Sequence, residues 1–231
     1  KSIQRCEMIH DRHRLRVALP GKGRLREPTI ELLRKAGFSF RAKDRNLYAT
    51  CTNAEIVFIF VRTDDIPVLV ESGVVDVGLT GSDLILERSA DVETVFALGY
   101  GKCRLCVAVH NDYIASDLSQ NNGKTIATSF PTITKGFFAK NGINVNCVEM
   151  NGSVEIMVAL GLADAIVDIV ETGDSLRDNN LKVLADIGRY ETVMICNRSV
   201  SSDPRVAGMK RRIEGILVAS RYSILEFNIR E

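Results

Sequence analysis

Residues 164–181 read DAIVDIVETGDSLRDNNL. Ala165, Ile166, Val167, Ile169 and Val170 form an apolar run that suits a buried strand. Asp168 lies inside that run and Glu171 ends it. Thr172, Gly173, Asp174 and Ser175 follow, before a short polar stretch. A carboxylate in so apolar a setting needs a partner. A glycine turn at a strand exit lets backbone N–H groups and hydroxyls close around a phosphate. In open α/β sheets, ligands bind beyond the carboxyl ends of strands. The stretch therefore predicts an α/β fold with a binding loop after this strand.

The flanking chain repeats the pattern. LRVALP (15–20) reads as a strand, followed by a glycine loop and the helical PTIELLRKAG. EIVFIFV (55–61) and VVDVGLTG (74–81) are strands, with a short helix opened by Asp64 or Asp65 between them. SDLILERSA is a helix and CRLCVAVH a strand. Near residue 112 the alternation restarts: KTIATS, VNCVEM and AIVDIV are strands, separated by the helices FPTITKGFFAKNG and SVEIMVALGLA. KVLADIG and ETVMICN are further strands, and a helix opens at Asp203. Such alternation predicts α/β with largely parallel strands.

The 231 residues, 45% hydrophobic, allow one large domain or two small ones. With 30 basic and 29 acidic residues, no global charge points to nucleic acid or to an anionic membrane. No apolar run reaches the roughly 18 residues of a spanning helix. The first residues, KSIQRCEMIHDRHR, read as a solvated lead-in without a signal-peptide core. Cys103 and Cys106 form C-x-x-C within a strand-like run, where residues three apart point to opposite faces. No second Cys or His pair follows at zinc spacing, so the cysteines read as reduced core thiols of a cytoplasmic protein.

Four glycine-to-helix junctions carry the chemistry. PGKGRL (20–25) offers Lys22 and Arg24 just before a helix, with Gly21 and Gly23 allowing close backbone approach. LTGSD (79–83) is a second junction, containing Thr80 and Gly81, where Ser82 or Asp83 would cap the next helix. ETGDS is the third. There Asp168 and Glu171 would accept hydrogen bonds from sugar hydroxyls or hold magnesium through oxygen. MNGSVEIM (150–157) is the fourth, with Glu155 one turn in. Arg45, Arg62, Lys102 and Arg104 add cations near strand ends.

Taken in order, VALPGKGRLREPTIELLRKAG, DDIPVLVESGVVDVGLTGSDLI, LGYGKCRLCVAV, TIATSFPTITKGFFAKNGI, NGSVEIMVALGLADAIVDIVETGDSLRDNNL and RRIEGILVA resemble the ATP phosphoribosyltransferase family across residues 14–221. The resemblance implies a two-lobed fold like the type II periplasmic binding proteins, with a cleft and a discontinuous first lobe. Lobe one would be residues 14–110 plus 183–215 and lobe two 111–182, with 216–231 beginning a C-terminal region absent from this sequence. The reaction implied is ATP plus phosphoribosyl pyrophosphate giving phosphoribosyl-ATP and pyrophosphate, with Mg2+. A homo-oligomer is implied too, and either a separate regulatory subunit or a histidine-binding domain outside these residues. On either ground, this chain alone is expected to ignore histidine.

By the same resemblance, Thr172, Gly173, Asp174, Ser175 and Leu176 would hold the 5-phosphate of the donor. Glu155, Asp168 and Glu171 would lie near its ribose, with Asp168 or Glu171 as candidate magnesium ligands. Lys22, Gly23 and Arg24 match the basic loop at the phosphates, with Thr80 and Gly81 beside the substrates, and Arg45 matches an arginine reaching into the cleft. Arg24, Arg45 and Glu171 are the residues assigned to catalysis. Elementary chemistry agrees, since expelling pyrophosphate from a sugar needs charge neutralised on the leaving group. The attacking adenine nitrogen already carries a lone pair, so no strong base is required of a chain with three histidines. Two other readings fit the alternation: a non-catalytic small-molecule or anion-binding protein of the same fold, and a nucleotide-binding subunit without activity.

Overall fold

LRVALP shows no polar alternation because its strand is covered on both faces. In the computed structural model, which describes residues 13–43, 46–113 and 117–220, β1 (Leu15–Pro20) lies between two parallel partners. In chain order it is followed by α1 (Arg26–Lys35), β2 (Tyr48–Thr50), β3 (Ile56–Val61), α2 (Ile66–Glu71) and β4 (Val77–Gly81). Then come α3 (Ser82–Arg88), β5 (Glu93–Ala97), β6 (Cys103–His110), β7 (Thr125–Thr128) and α4 (Pro131–Lys140). β8 (Asn146–Glu149), α5 (Glu155–Ala159), β9 (Ala165–Val170), α6 (Asp174–Asp178), β10 (Leu181–Tyr190), β11 (Thr192–Cys196) and α7 (Pro204–Ala219) complete the set.

The chain divides into two units. Unit one holds the described residues up to Gly81, Ala90–Gly101, and those from Thr192 onward. Its sheet runs β2-β3-β1-β4-β11-β5. Leu15, Val17 and Leu19 turn one face of β1 into a core with Leu33, Phe38 and Phe58. On the other face, Gly78 lets α2 settle on β4, because an added Cβ would run into Ile66 and Val70. Gly37 (φ +78) closes α1, its N–H reaching the Arg34 carbonyl at 2.9 Å while Phe38 reaches that of Leu33 at 3.0 Å. This is the paired-bond helix ending that a left-handed glycine permits. α7 opens with Asp203 accepting from the Arg205 N–H at 2.8 Å and buries Val206, Met209 and Ile213 along one stripe.

Unit two is Ser82–Ser89 and Lys102–Glu191, with a sheet ordered β10-β6-β9-β7-β8. β9 pairs parallel with β7 and antiparallel with β6. The buried Glu87 of α3 accepts from the Thr132 and Ile133 N–H groups at 2.9 and 3.0 Å. That carboxylate satisfies the exposed donors of the α4 amino end and complements its dipole.

Two expectations change. Among the described residues, four of the nine strand pairings are parallel and five antiparallel, so the sheets are mixed. The reason is β6 and β11, each antiparallel to both of its neighbours, and the short edge strand β2, which returns along β3. The unit borders also differ from the expected lobes 14–110 plus 183–215 and 111–182. β6 and all of β10 join unit two, because β10 pairs along the whole of β6 and β6 pairs with β9. Apolar content is alike on both sides of Gly101, so composition carries no sign of that border. Residues 216–219 finish α7, whereas 221–231 and the lead-in 1–12 lie outside the described residues.

Candidate functional site

In unit two the candidate site forms at the exit of β9. Gly173 stands at φ +82, ψ +8, the left-handed conformation that favours glycine, and starts α6. Leu176 is buried among Cys106, Ala127 and Val170, so its side chain anchors the turn and any ligand contact falls to its backbone. Asp174 is bound by Arg177 and by the Thr172 hydroxyl. Those contacts hold its carboxyl below the usual carboxylate range, Thr172 contributing most.

Ser175 donates to the Glu155 carboxylate at 2.6 Å, joining the third and fourth glycine junctions. Glu155 stands in the first turn of α5, after Gly152 (φ +101) and Ser153 (φ +53). Asp168 lies opposite Cys106 in the β6–β9 ladder, and its Oδ1 accepts from the Ile169 N–H at 2.7 Å. Burial pushes its carboxyl up from 3.8 to about 6, with the charge of Glu155 adding to the rise and the Ile169 N–H opposing it. The structure thus gathers Glu155, Asp168 and Ser175 beside the Gly173 turn. Glu171 is exposed at the end of β9.

The raised Asp168 carboxyl has a testable consequence. Between about pH 3.8 and 6 the folded chain keeps a proton that the unfolded chain has released. Folding is therefore penalised as pH rises through that window, and the penalty is full above it. Asp168→Asn removes it. The variant should gain roughly 1–3 kcal/mol at neutral pH relative to its effect near pH 4. Paired urea unfolding curves at the two pH values measure this. Equal effects at both would show that Asp168 titrates like an exposed acid.

In unit one the basic turn follows β1. Lys22, Gly23 and Arg24 are exposed, and Gly23 is left-handed at φ +81. The Gly21 N–H donates to the Val61 carbonyl at 2.7 Å, and a Cβ on Gly21 would lie 3.1 Å from that oxygen. Arg24 donates to the Gly101 carbonyl at 3.1 Å.

Other expected positions behave differently. Thr80 is fully buried, its hydroxyl on the Thr63 carbonyl at 3.3 Å, and Gly81 is a ladder partner of Thr192. Both lie buried within β4. The Ser82 hydroxyl accepts from the Glu191 N–H at 3.2 Å, and Asp83 is buried. Arg45 lies outside the described residues. Cys51, Cys103, Cys106 and Cys196 are buried free thiols, as the core reading expects, whereas Cys147 is only half-buried. Burial pushes Cys106 up to about 12.

Sequence reading passed over two residues. Glu87 was not singled out within SDLILERSA. Nor was Tyr100, whose flanking glycines, both left-handed, mark a built turn.

Residues 62–216 match the family described as HisG: ATP phosphoribosyltransferase. An ATP phosphoribosyltransferase of Rhodopirellula baltica is 47% identical over 215 residues, covering 93% of this chain and 72% of that protein. The solved ATP phosphoribosyl transferase (HisG:HisZ) complex from Thermotoga maritima contains a similar chain with TM-score 0.78 and 29% identity, covering 89% of this chain and 99% of that one. The substrate binding protein of an amino acid ABC transporter superposes with TM-score 0.60 at 15% identity, covering 89% and 94%. That likeness shows the fold alone, the type II periplasmic-binding-protein-like architecture. Among the described residues no helix is long and apolar enough to cross a membrane.

Proposed function

The chain belongs to the ATP phosphoribosyltransferase family, and from that premise we propose which of its residues carry the reaction. The chain is a transferase. It moves phosphoribosyl from phosphoribosyl pyrophosphate to the adenine ring of ATP and releases pyrophosphate, the first step of histidine biosynthesis. A purely binding protein of the same fold is not favoured.

The observation that carries the site assignment is the Gly173 turn, left-handed beside the Ser175–Glu155 hydrogen bond. Its backbone N–H groups take the 5-phosphate of the donor, and the hydroxyls of Thr172 and Ser175 join them by turning their protons from Asp174 and Glu155 to the phosphate. Glu155, Asp168 and Glu171 face the ribose and favour the positive charge that develops at its anomeric carbon. Lys22, Gly23 and Arg24 form an exposed cationic turn suited to phosphate oxygens, where Arg24 neutralises the leaving pyrophosphate. Arg45, outside the described residues, keeps the catalytic role that the resemblance implies. The C1–oxygen bond to pyrophosphate breaks as the adenine nitrogen's lone pair forms the new C1–nitrogen bond. Positioning and fixed charge, rather than a nucleophilic side chain, lower the barrier.

Magnesium fits the donor set in a limited way. Among the described residues no three Asp, Glu, His or Cys side chains gather as a metal cage. Magnesium commonly binds through one or two carboxylates together with substrate phosphates. Asp168, crowded by the charge of Glu155, is the better candidate and Glu171 the other. Bound there, the ion would neutralise phosphate charge.

Two partner proposals rest on likeness alone. Further copies of the chain follow from the family resemblance, and a separate regulatory subunit from the composition of the Thermotoga maritima complex. A cytoplasmic site is proposed from the substrates.

The assay is pyrophosphate release from ATP, phosphoribosyl pyrophosphate and Mg2+. Release should require all three. Binding of both substrates without release would overturn the catalytic reading.

A further inference from the structure

Behind the basic turn lies Leu98–Gly101, the segment LGYG. It is pinned to β11 by two backbone bonds: Leu98 N–H to the Thr192 carbonyl at 2.9 Å, and Thr192 N–H to the Tyr100 carbonyl at 3.0 Å. Gly99 (φ +77) and Gly101 (φ +63) bend it so that Tyr100 turns toward α1. The Tyr100 hydroxyl lies 2.5 Å from that of Thr29, which is fully buried. Thr29 spends its single proton on the Leu25 carbonyl at 2.6 Å, so the phenol is the donor to Thr29. A relay therefore runs from Tyr100 through Thr29 to Leu25, the residue after Arg24, and bonds in such a chain polarise one another. The next residue, Gly101, accepts from Arg24 at 3.1 Å. Gly101 also comes so close to Leu25 and Thr192 that a Cβ there would strike both side chains. One short segment thus holds the basic turn at Arg24 and the start of α1 behind it at Leu25 and Thr29.

We infer that Tyr100 is a positioning residue for the transfer reaction, holding the Gly21–Arg24 turn in the register that presents Arg24 to phosphate. The inference rests on the proposed phosphate role of that turn. Burial pushes the phenol up to about 12, so it stays a donor throughout the working pH range.

The test is a double-mutant cycle of Tyr100→Phe and Arg24→Gln in the full chain, reading kcat, KM for each substrate and the thermal midpoint. Tyr100→Phe should lower kcat about tenfold with KM nearly unchanged, the pattern of an interaction made in the transition state. In the Arg24→Gln background the same change should cost less than twofold. Thr29→Val breaks the relay from its other side and should match Tyr100→Phe. It serves in its place if that variant fails to fold. A slow Arg24→Gln with a Tyr100→Phe within twofold of the parent would overturn the inference. So would equal losses in both backgrounds, which mark a merely structural residue. An Arg24→Gln as fast as the parent would instead overturn the phosphate role of the turn, and the inference with it.

Discussion

Gly173→Val should lose at least tenfold in affinity for phosphoribosyl pyrophosphate while the chain stays folded. The cause is backbone geometry, not crowding. The nearest atoms to an added Cβ are Arg177 Nη1 at 3.8 Å and Val170 Cγ1 at 3.9 Å, ordinary contacts. But φ is +82, and a β-branched residue held there is strained by about 1–3 kcal/mol. The turn relieves that strain by rotating, and its N–H groups leave the position that a phosphate needs. Little else should move, because α6 has five residues and only Leu176 is buried in it. Gly173→Asn is the internal control, since asparagine tolerates the left-handed region. It should bind within a few-fold of the parent, with Gly173→Ala between the two. Calorimetric titration measures the series. A folded Gly173→Val with unchanged affinity would remove the phosphate assignment from this loop.

The legible parts of this chain were those whose signal is local. LRVALP and CRLCVAVH are strands at their expected bounds, because continuous apolar runs of that length bury on both faces. Asp203 caps α7 and Gly37 closes α1 because each motif acts within one turn. The β9 exit was legible for the same reason: a carboxylate in a core run and a glycine after it conflict with simple burial. What was missed depends on partners far along the chain. β2 and β5 are short edge strands, and neither YAT nor ETVFA has a pattern of its own. α6 hides in a polar run because a buried Leu176 alone marks its inner face. Glu87 finds α4 45 residues away, and Tyr100 finds Thr29 71 residues away. Thr80 is buried where its junction read as an open loop. A glycine junction suggested an open loop, but antiparallel pairing with β11 keeps the chain in strand up to Gly81.

Glu171→Gln should slow turnover by more than tenfold, about 1.4 kcal/mol or more of barrier. The substitution keeps shape and removes only charge, so it isolates electrostatics at the end of β9. Glu171 is exposed and leads directly into the Gly173 turn. A carboxylate there lowers the barrier by favouring the positive charge that grows on the ribose as pyrophosphate leaves. That charge is absent from the bound substrate, so kcat should fall with kcat/KM while donor affinity changes little. Loss confined to KM would mean that Glu171 only holds ribose hydroxyls. Asp168→Asn supplies the contrast. Its carboxyl is pushed up to about 6, so near neutral pH its charge is less secure and its rate should depend on pH across that value. Rates of parent and both variants between about pH 5 and 8 separate the two acids. A pH step carried by Asp168 should vanish in Asp168→Asn and survive in Glu171→Gln, and it should fall below about pH 6 where Asp168 holds magnesium. If Glu171→Gln turns over within twofold of the parent at every pH, Glu171 is a solvated turn residue, and Asp168 with Glu155 is left as the acidic face of the ribose site.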